Sequence, residues 1–399
     1  MKVAYLGPFK NVFLKEFIPS LSDEDISASP GMGGHGLIEL VIERLQTGKE
    51  TAVITLDIAN LGKPIIRNGP ICELYSFPKR IHKSLLDLFI TERNHIASAI
   101  KDVAPDIVHA HWTAEYALAA MDLGIPYVIT SHDHPQDVLR FLGIRYLPLY
   151  FLSIYIIKRA KVISSVSGYV SEYINSLRRK GDCLTISNVL TTKYLQLSTN
   201  AARSYAISQP KIISVLDWNN LKNAKVAVQT FKLLLSEYHN SELHLFGRGL
   251  GPGEECEMWC NKRGINRNVF FHGFVPNWII KDCMASASIL LHTSRTESFG
   301  MVVAEAMAMG LPVVGGRDSG AIPDLLDHGK CGILVDINDP KDTLKGISLL
   351  LSSIDLRKKI GTAARYRARA IFGSQEILNR WESVYSGVIA EYSRKDDLQ

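Results

Sequence analysis

Two carboxylates, Glu297 and Glu305, stand eight positions apart in the run ESFGMVVAE, which lies between a strand-like apolar stretch, ASILLHTS, and a helix-like one, AEAMAMG. A helix that starts near Phe299 would point its unpaired N–H groups and positive dipole end at a ligand, where a phosphate is stabilised. Eight residues are a little over two turns, about 12 Å along the axis. Acceptors that far apart, with anion-binding N–H groups between them, suit a molecule with hydroxyls at both ends and a diphosphate in the middle. A nucleotide sugar has that shape. Taken alone, the pair reads better as a helix-capping acid and a solvated one; the surroundings change that balance.

The elements that must hold this turn are legible from the pattern. Short apolar, β-branched runs (KVAYL, TAVITL, ICELYSF, DIVHAH, PYVITS, KVISSVS) alternate with helical stretches such as LIELVIERL. Such alternation predicts a parallel sheet covered by helices. A polar stretch, Thr191 to Gln209, interrupts the series and reads as a linker. KIISVL, SELHLFG, VFFHGF, SILLHT, LPVVGG and GILVD then begin a second series. The expectation is an α/β protein of two Rossmann-like parallel-sheet domains, residues 1–200 and 201–374. Ligands of open α/β sheets bind beyond the carboxyl ends of the strands, so domains that face each other put the site in the cleft. A final helix, Gln375 to Tyr392, carries an apolar stripe through Ile377, Leu378, Trp381, Val384, Tyr385 and Val388 at helical spacing.

Composition narrows the function classes. A chain of 399 residues suits two domains of ordinary size. With 46% apolar and 21% charged residues it is globular, with no low-complexity tract. The excess of 45 basic over 40 acidic residues permits attraction to an anion or a membrane surface, but gives no basic stripe of the kind that binds nucleic acid. The opening MKVAYLGPF reads as a buried strand without the apolar core of a signal peptide, so the expected location is cytoplasmic. Six scattered cysteines predict no disulfide framework. Cys256 and Cys260 share a helix face with His272 nearby in sequence, but the spacing is not a usual zinc pattern. The most apolar run, Tyr146 to Ile157, is too short to span a bilayer, which needs about 20 residues. It reads as a packed helix or, given its aromatics and basic flanks, as a surface that dips into the inner membrane face.

Two formal motifs lack their context. Gly31 to Gly36 read GMGGHG, with Asp57 at the end of the next strand, a match to the dinucleotide fingerprint. The glycines should follow the first strand at once, but a long loop with Pro8, Pro19 and Pro30 intervenes. What survives is that glycines before a helix let N–H groups approach a phosphate. Asp23-Glu24-Asp25 is a formal D-x-D, expected to be a solvated acidic loop rather than a divalent-metal site.

The E-x7-E turn followed by EAMAMGLPVVG, GAIPDLL and GILVD resembles the C-terminal half of the family 4 retaining glycosyltransferases, glycosyltransferase group 1, which have the GT-B fold. PDIVHAHW, GIPYVITSHD, KVISSVS and NVFFHGFVP extend the resemblance over most of the chain. It implies that the last helix, 375–399, crosses back to complete the first domain. It implies that Glu305 binds ribose hydroxyls and Glu297 sugar hydroxyls, that Ser298 and Phe299 belong to the same donor-binding segment, and that the N–H groups of Gly300, Met301 and Val302 meet phosphate and sugar. Gly33 and Gly34 match the N-terminal loop that meets the donor diphosphate. His132, in TSHDHP, matches a histidine near the reacting centre, where an imidazole shuttles protons or orients a hydroxyl; His109 and His111 sit at a neighbouring strand end. In SVLDWNNLKNAK, Lys222 matches the lysine on the diphosphate, where it offsets leaving-group charge. The usual arginine is Asp217 here, and Arg248, in the turn GRGLGPG, is the substitute considered.

The expected function is therefore retaining transfer of a hexosyl group from a UDP- or GDP-sugar to a saccharide or lipid-linked saccharide. The role expected from the family is in cell-surface polysaccharide or lipopolysaccharide synthesis. No metal or other cofactor and no nucleic acid are implied. The alternatives are a nucleotide-sugar epimerase, which needs no acceptor, and a non-catalytic nucleotide-sugar-binding subunit, suggested by Asp217. Sugar, base and acceptor are set by loops that a fold-level reading does not reach.

Overall fold

A computed structural model describes residues 1–31, 33–60, 62–81, 84–190 and 205–396, with side-chain surroundings up to 394. The chain forms two compact units, Met1–Thr191 with Ser374–Gln399, and Thr192–Gly373.

The first unit is built on an eight-stranded sheet: β1 Val3–Leu6, β2 Thr51–Asp57, β3 Ile65–Asn68, β4 Cys72–Pro78, β5 Ile107–His111, β6 Tyr127–Ser131, β7 Ile163–Ser165 and β8 Leu184–Thr185. The order is β3-β4-β2-β1-β5-β6-β7-β8. Val3 of β1 pairs with Thr51 on one side and Ile107 on the other, both parallel. Because side chains alternate across a strand, Ala4 and Leu6 enter one core while Val3 and Tyr5 enter the core on the other face. Burial on both faces explains why these strands read as continuous apolar runs. The second of those cores is closed by the helix Ser374–Asp396, whose Ile377, Leu378, Trp381, Tyr385 and Val388 are buried there. The predicted stripe is thus real and packs on the first unit.

Two strands escaped the sequence reading. β3 runs antiparallel to β4 at the sheet edge, Ile65 opposite Ser76, so the sheet is not wholly parallel. β8 has only two residues. Asp23–Asp25 also differ from expectation: they open a helix, Asp23–Ala28, through a capping box between Ser22 and Asp25. Asp25 then accepts both Arg67 Nε and Nη2, at 2.9 and 2.5 Å, so it is a structural acid.

The second unit carries six parallel strands: β9 Lys211–Val215, β10 Glu242–Phe246, β11 Val269–Gly273, β12 Ile289–His292, β13 Val313–Gly316 and β14 Ile333–Val335, in the order β11-β10-β9-β12-β13-β14. Of the expected linker, residues 191–204 lie outside the described residues. Tyr205 already belongs to the second unit: its carbonyl accepts from Arg357 Nε and Nη2 at 3.1 and 2.9 Å, and its hydroxyl donates to Gly310 O at 3.1 Å. Among the described residues no helix is long and apolar enough to cross a membrane.

Candidate active site

In the second sheet the chain winds one way from β9 through β10 to β11, and the other way from β12 to β14. β9 and β12 are therefore neighbours at the reversal, where the loops beyond their carboxyl ends diverge and leave a crevice. Lys222 follows β9 and Glu297 follows β12. Lys222 Nζ donates to Glu297 Oε1 at 2.6 Å, and His292 Nε2, from the last residue of β12, lies 3.1 Å from the same oxygen. Glu297 Oε2 accepts no hydrogen bond among the described residues. Burial on its own would raise the Glu297 pKa, but the Lys222 ammonium and the His292 hydrogen bond outweigh it and hold the carboxyl well below the usual carboxylate range. A carboxylate oxygen only accepts, so His292 Nε2 carries the proton of that bond. His292 is 2% exposed, and its Nδ1 has no hydrogen-bond partner among the described residues.

The backbone around this trio is tied across loops. Thr293 Oγ1 lies 3.2 Å from both Lys222 O and Asn223 O, and the N–H of Arg295 donates to Leu221 O at 2.8 Å. Glu297 forms a parallel bridge with Gly320 beyond β13, and the Ala321 N–H donates to Glu297 O at 2.8 Å. Gly320 has φ +61°, and a Cβ there would stand 2.4 Å from Glu297 O, so no side chain fits.

Gly300, at φ +96°, precedes the helix Met301–Ala308, which no side chain caps. The helix thus begins two residues later than Phe299. Phe299 is a core residue, 6% exposed, with its ring edge-on to Phe372 at 5.4 Å. Glu297 is no capping acid, since its carboxylate lies on Lys222 and His292. Glu305 is not solvated: it is 4% exposed. Ser298, Met301 and Val302 are partly exposed around the helix start. Arg248, beyond the carboxyl end of β10, is exposed and lies over the Phe274 ring at 5.8 Å. The residue in the arginine position, Asp217, accepts the Arg248 N–H at 3.0 Å, and its own chain turns there as the Trp218 N–H donates to Arg248 O at 2.8 Å.

The other candidates lie in the first unit. His132 follows β6, and its Nε2 is 2.7 Å from Nδ1 of His111, the last residue of β5. Trp112 stacks on His132 with centroids 4.2 Å apart. Burial pushes His132 down to about 3 and His111 well below its ordinary value, the latter helped by repulsion from His109 and His132. Both rings are therefore neutral at pH 7 and share one N–H···N bond, an arrangement that orients a hydroxyl rather than delivers a proton. His111 Nε2 is buried without a hydrogen-bond partner among the described residues. His109 differs: Tyr385 Oη and Thr130 Oγ1 each lie 2.7 Å from its ring nitrogens, which makes it a satisfied core residue.

Gly34 precedes the helix His35–Gln46, and a Cβ there would lie 2.2 Å from Pro8 O. Gly33 is exposed, with no such constraint. Met32 lies outside the described residues. Asp57 is consumed by the same loop, since Oδ2 accepts the Gly31 N–H at 2.7 Å and the Ser29 hydroxyl at 2.8 Å, while Oδ1 accepts the Ala59 N–H at 2.9 Å. With three of its roughly four acceptor sites taken and only 2% of its surface exposed, that carboxylate is turned into the loop and away from any ribose, which weighs against the dinucleotide reading of GMGGHG. Cys256 and Cys260 are both buried and free, and His272 bonds to His244 at 2.9 Å instead. His292 was missing from the candidate set, and His111 was noted beside His132 without a role. Both are strand-end histidines, the signal that singled out His132.

Known proteins match both halves. The family model for glycosyl transferases group 1 covers residues 200–367, and that for glycosyltransferase family 4 covers residues 46–193. The chain belongs to the group 1 glycosyltransferases of family 4. The glycosyltransferase is 26% identical over 383 residues to N-acetyl-α-D-glucosaminyl L-malate synthase of Bacillus anthracis, which covers 92% of this chain and 97% of that protein. Among solved structures, sucrose-phosphate synthase from Thermosynechococcus elongatus superposes with a TM-score of 0.77 at 15% identity, over 98% of this chain and 100% of that one. Anabaena HepE, in complex with UDP and glucose, gives 0.69 at 18% identity over 97% and 100%. These neighbours show the glycosyltransferase to have the GT-B fold.

Proposed function

We propose that this glycosyltransferase moves a hexosyl group, with retention, from a UDP- or GDP-sugar to a hydroxyl of a saccharide or lipid-linked saccharide in cell-surface polysaccharide or lipopolysaccharide synthesis. The observation that carries the reading is the trio Lys222, Glu297 and His292 at the β9/β12 reversal, close in sequence to the uncapped helix at Gly300. Oε2 of the ionised Glu297 accepts from a sugar hydroxyl, Glu305 takes the ribose hydroxyls, and the N–H groups of Gly300, Met301 and Val302 meet the diphosphate. Lys222, with Arg248 as a second cation, offsets charge that builds on the leaving diphosphate. Gly33 and Gly34 bring N–H groups to the same phosphates, and neutral His132, held by His111, orients the reacting hydroxyl. The acceptor oxygen bonds to the anomeric carbon on the face that the phosphate oxygen leaves, and that oxygen takes the acceptor's proton. No metal has a part in this scheme. The enzyme works in the cytoplasm, at the inner membrane face when the acceptor is lipid-linked.

A second reading changes only the acceptor. The likeness over nearly the whole chain to a malate glycosyltransferase favours a small hydroxy acid.

The test is thermal melting of the protein with UDP, GDP, ADP and CMP sugars, beside Glu305→Ala. A rise with UDP- or GDP-sugar that the variant loses identifies donor and site, since a ligand that binds only the folded state stabilises it. No rise with any sugar nucleotide overturns the reading. Turnover of that donor with L-malate against a lipid-linked saccharide decides the acceptor.

A further inference from the structure

At the amino-terminal edge of the first sheet, opposite the carboxyl edge that carries His111 and His132, lies an open cavity of about 850 Å³. It opens where the helices Leu147–Arg159 and Gly168–Leu177 end and β7 and β8 begin. Six cations line it: Lys158, Arg159, Lys161, Arg178, Arg179 and Lys180. Among the described residues none of the six has a carboxylate within salt-bridge distance, although Glu391 stands on the rim.

Helix ends attract cations, and Arg178 is accounted for in that way: Nη1 donates to Ile157 O at 2.8 Å and Ala160 O at 3.0 Å, and Nε to Gly181 O. The other five side chains make no hydrogen bond to a carbonyl or a carboxylate among the described residues. Arg159 lies over the Tyr155 ring at 4.8 Å and Lys161 over the Tyr392 ring at 4.6 Å, contacts that leave their N–H groups to a further acceptor. A concave wall lined by one sign of charge focuses its field and concentrates counter-ions. From Arg159 the stripe continues at four-residue spacing through Tyr155 and Phe151, which are 46% and 62% exposed.

We propose that this cavity is a second anion site, separate from the donor site, that takes a phosphate group, with Tyr155 and Phe151 beside it to seat an apolar portion of the molecule that carries the phosphate. The two sources are the headgroup of an anionic lipid and a soluble phosphate ester. The site stands on the first unit alone and is independent of the donor reading. Sequence reading missed it because Lys158–Lys161 and Arg178–Lys180 are two short basic runs that only the β7–β8 crossover brings together.

The test uses the full chain in four forms: wild type, Arg179→Glu/Lys180→Glu, Phe151→Ser/Tyr155→Ser, and Lys358→Glu/Lys359→Glu. The last removes equal charge from an exposed helix of the second unit. Thermal melting first establishes that each form is folded. One arm measures co-sedimentation with phosphatidylcholine vesicles with and without phosphatidylglycerol; the other titrates inorganic pyrophosphate at saturating UDP. The expected result is binding to the anionic vesicles, weaker by at least about 25-fold in the cavity variant, from about five-fold for each cation lost before the repulsion of the two new carboxylates is added, weaker in the aromatic variant and unchanged in the second-unit control. Pyrophosphate binding lost in the cavity variant, without vesicle binding, upholds the site and makes its ligand soluble. Binding in neither arm, or equal loss in the cavity and control variants, overturns it.

Discussion

Lys222 Nζ and His292 Nε2 converge on a single oxygen, Oε1 of Glu297, and among the described residues Oε2 has no donor. Lys222→Met therefore strands a largely buried carboxylate. The expected outcome is a kcat lower by about 10²–10³. Stability should fall by about 2 kcal/mol, less than the 3–5 of a fully buried pair because the Lys222 side chain is 27% exposed. Adding Glu297→Gln removes the stranded charge and should recover part of the melting temperature but none of the activity. Melting curves and steady-state rates of the two variants check both statements.

Acid should destabilise the protein in two stages. His132 titrates near 6.5 when unfolded and is held at about 3 when folded, so between those values the unfolded chain binds the extra proton. Stability contributed by the neutral ring is thus complete above 6.5 and is lost as pH falls toward 3, at about 1.4 kcal/mol per pH unit. His109 and His111, also lowered, add to the same slope. Glu297 joins only below its ordinary value of 4.5, because its folded pKa is lower still. Urea denaturation from about pH 7 to about pH 5 should show the histidine slope, and His132→Gln should flatten it by about one proton's worth.

Gly300→Ala tests the start of the helix Met301–Ala308, the proposed donor-phosphate site. The left-handed backbone at φ +96° is strained for alanine, and the new Cβ would stand 2.8 Å from Ile322 Cδ1. The loss should be about 1–3 kcal/mol, with KM for the donor raised as well, since the helix N–H groups move. An unchanged melting temperature would contradict the geometry.

Arg248→Ala separates charge from structure. The side chain is exposed and packs on one ring, so stability should change by less than about 0.5 kcal/mol. In the proposed role of second cation on the diphosphate, its loss should nonetheless lower kcat/KM about ten-fold or more. Asp217→Arg is not expected to improve the enzyme, because it removes the acceptor of the Arg248 N–H and disturbs the turn that places Arg248. Rates of the two variants, measured side by side, decide whether Arg248 takes over the role of the absent arginine.

The strands of both sheets were readable because burial on two faces leaves an unbroken apolar run, as in Val3–Leu6 or Ile289–His292. β3 was not, because an edge strand with Ile66 and Asn68 exposed has no such run. Glu297 and Lys222 could be singled out one by one, but their contact spans 75 positions, and the sheet order that closes it depends on long-range pairing. The part played by Asp57 was hidden for the same reason. Its spacing fits a ribose ligand, and only the folded loop reveals that Gly31, Ser29 and Ala59 already occupy it.

The backbone bridge between Glu297 and Gly320 has a bearing on how this scaffold can be rebuilt. The turns after β12 and β13 form one continuous lip, so a graft that exchanges either alone would move the acid that must stay fixed. Residues 296–300 and 317–322 form a single cassette for transplantation, whereas the Gly247–Gly253 turn has no backbone tie to it among the described residues and is where a change of preferred sugar nucleotide can be sought.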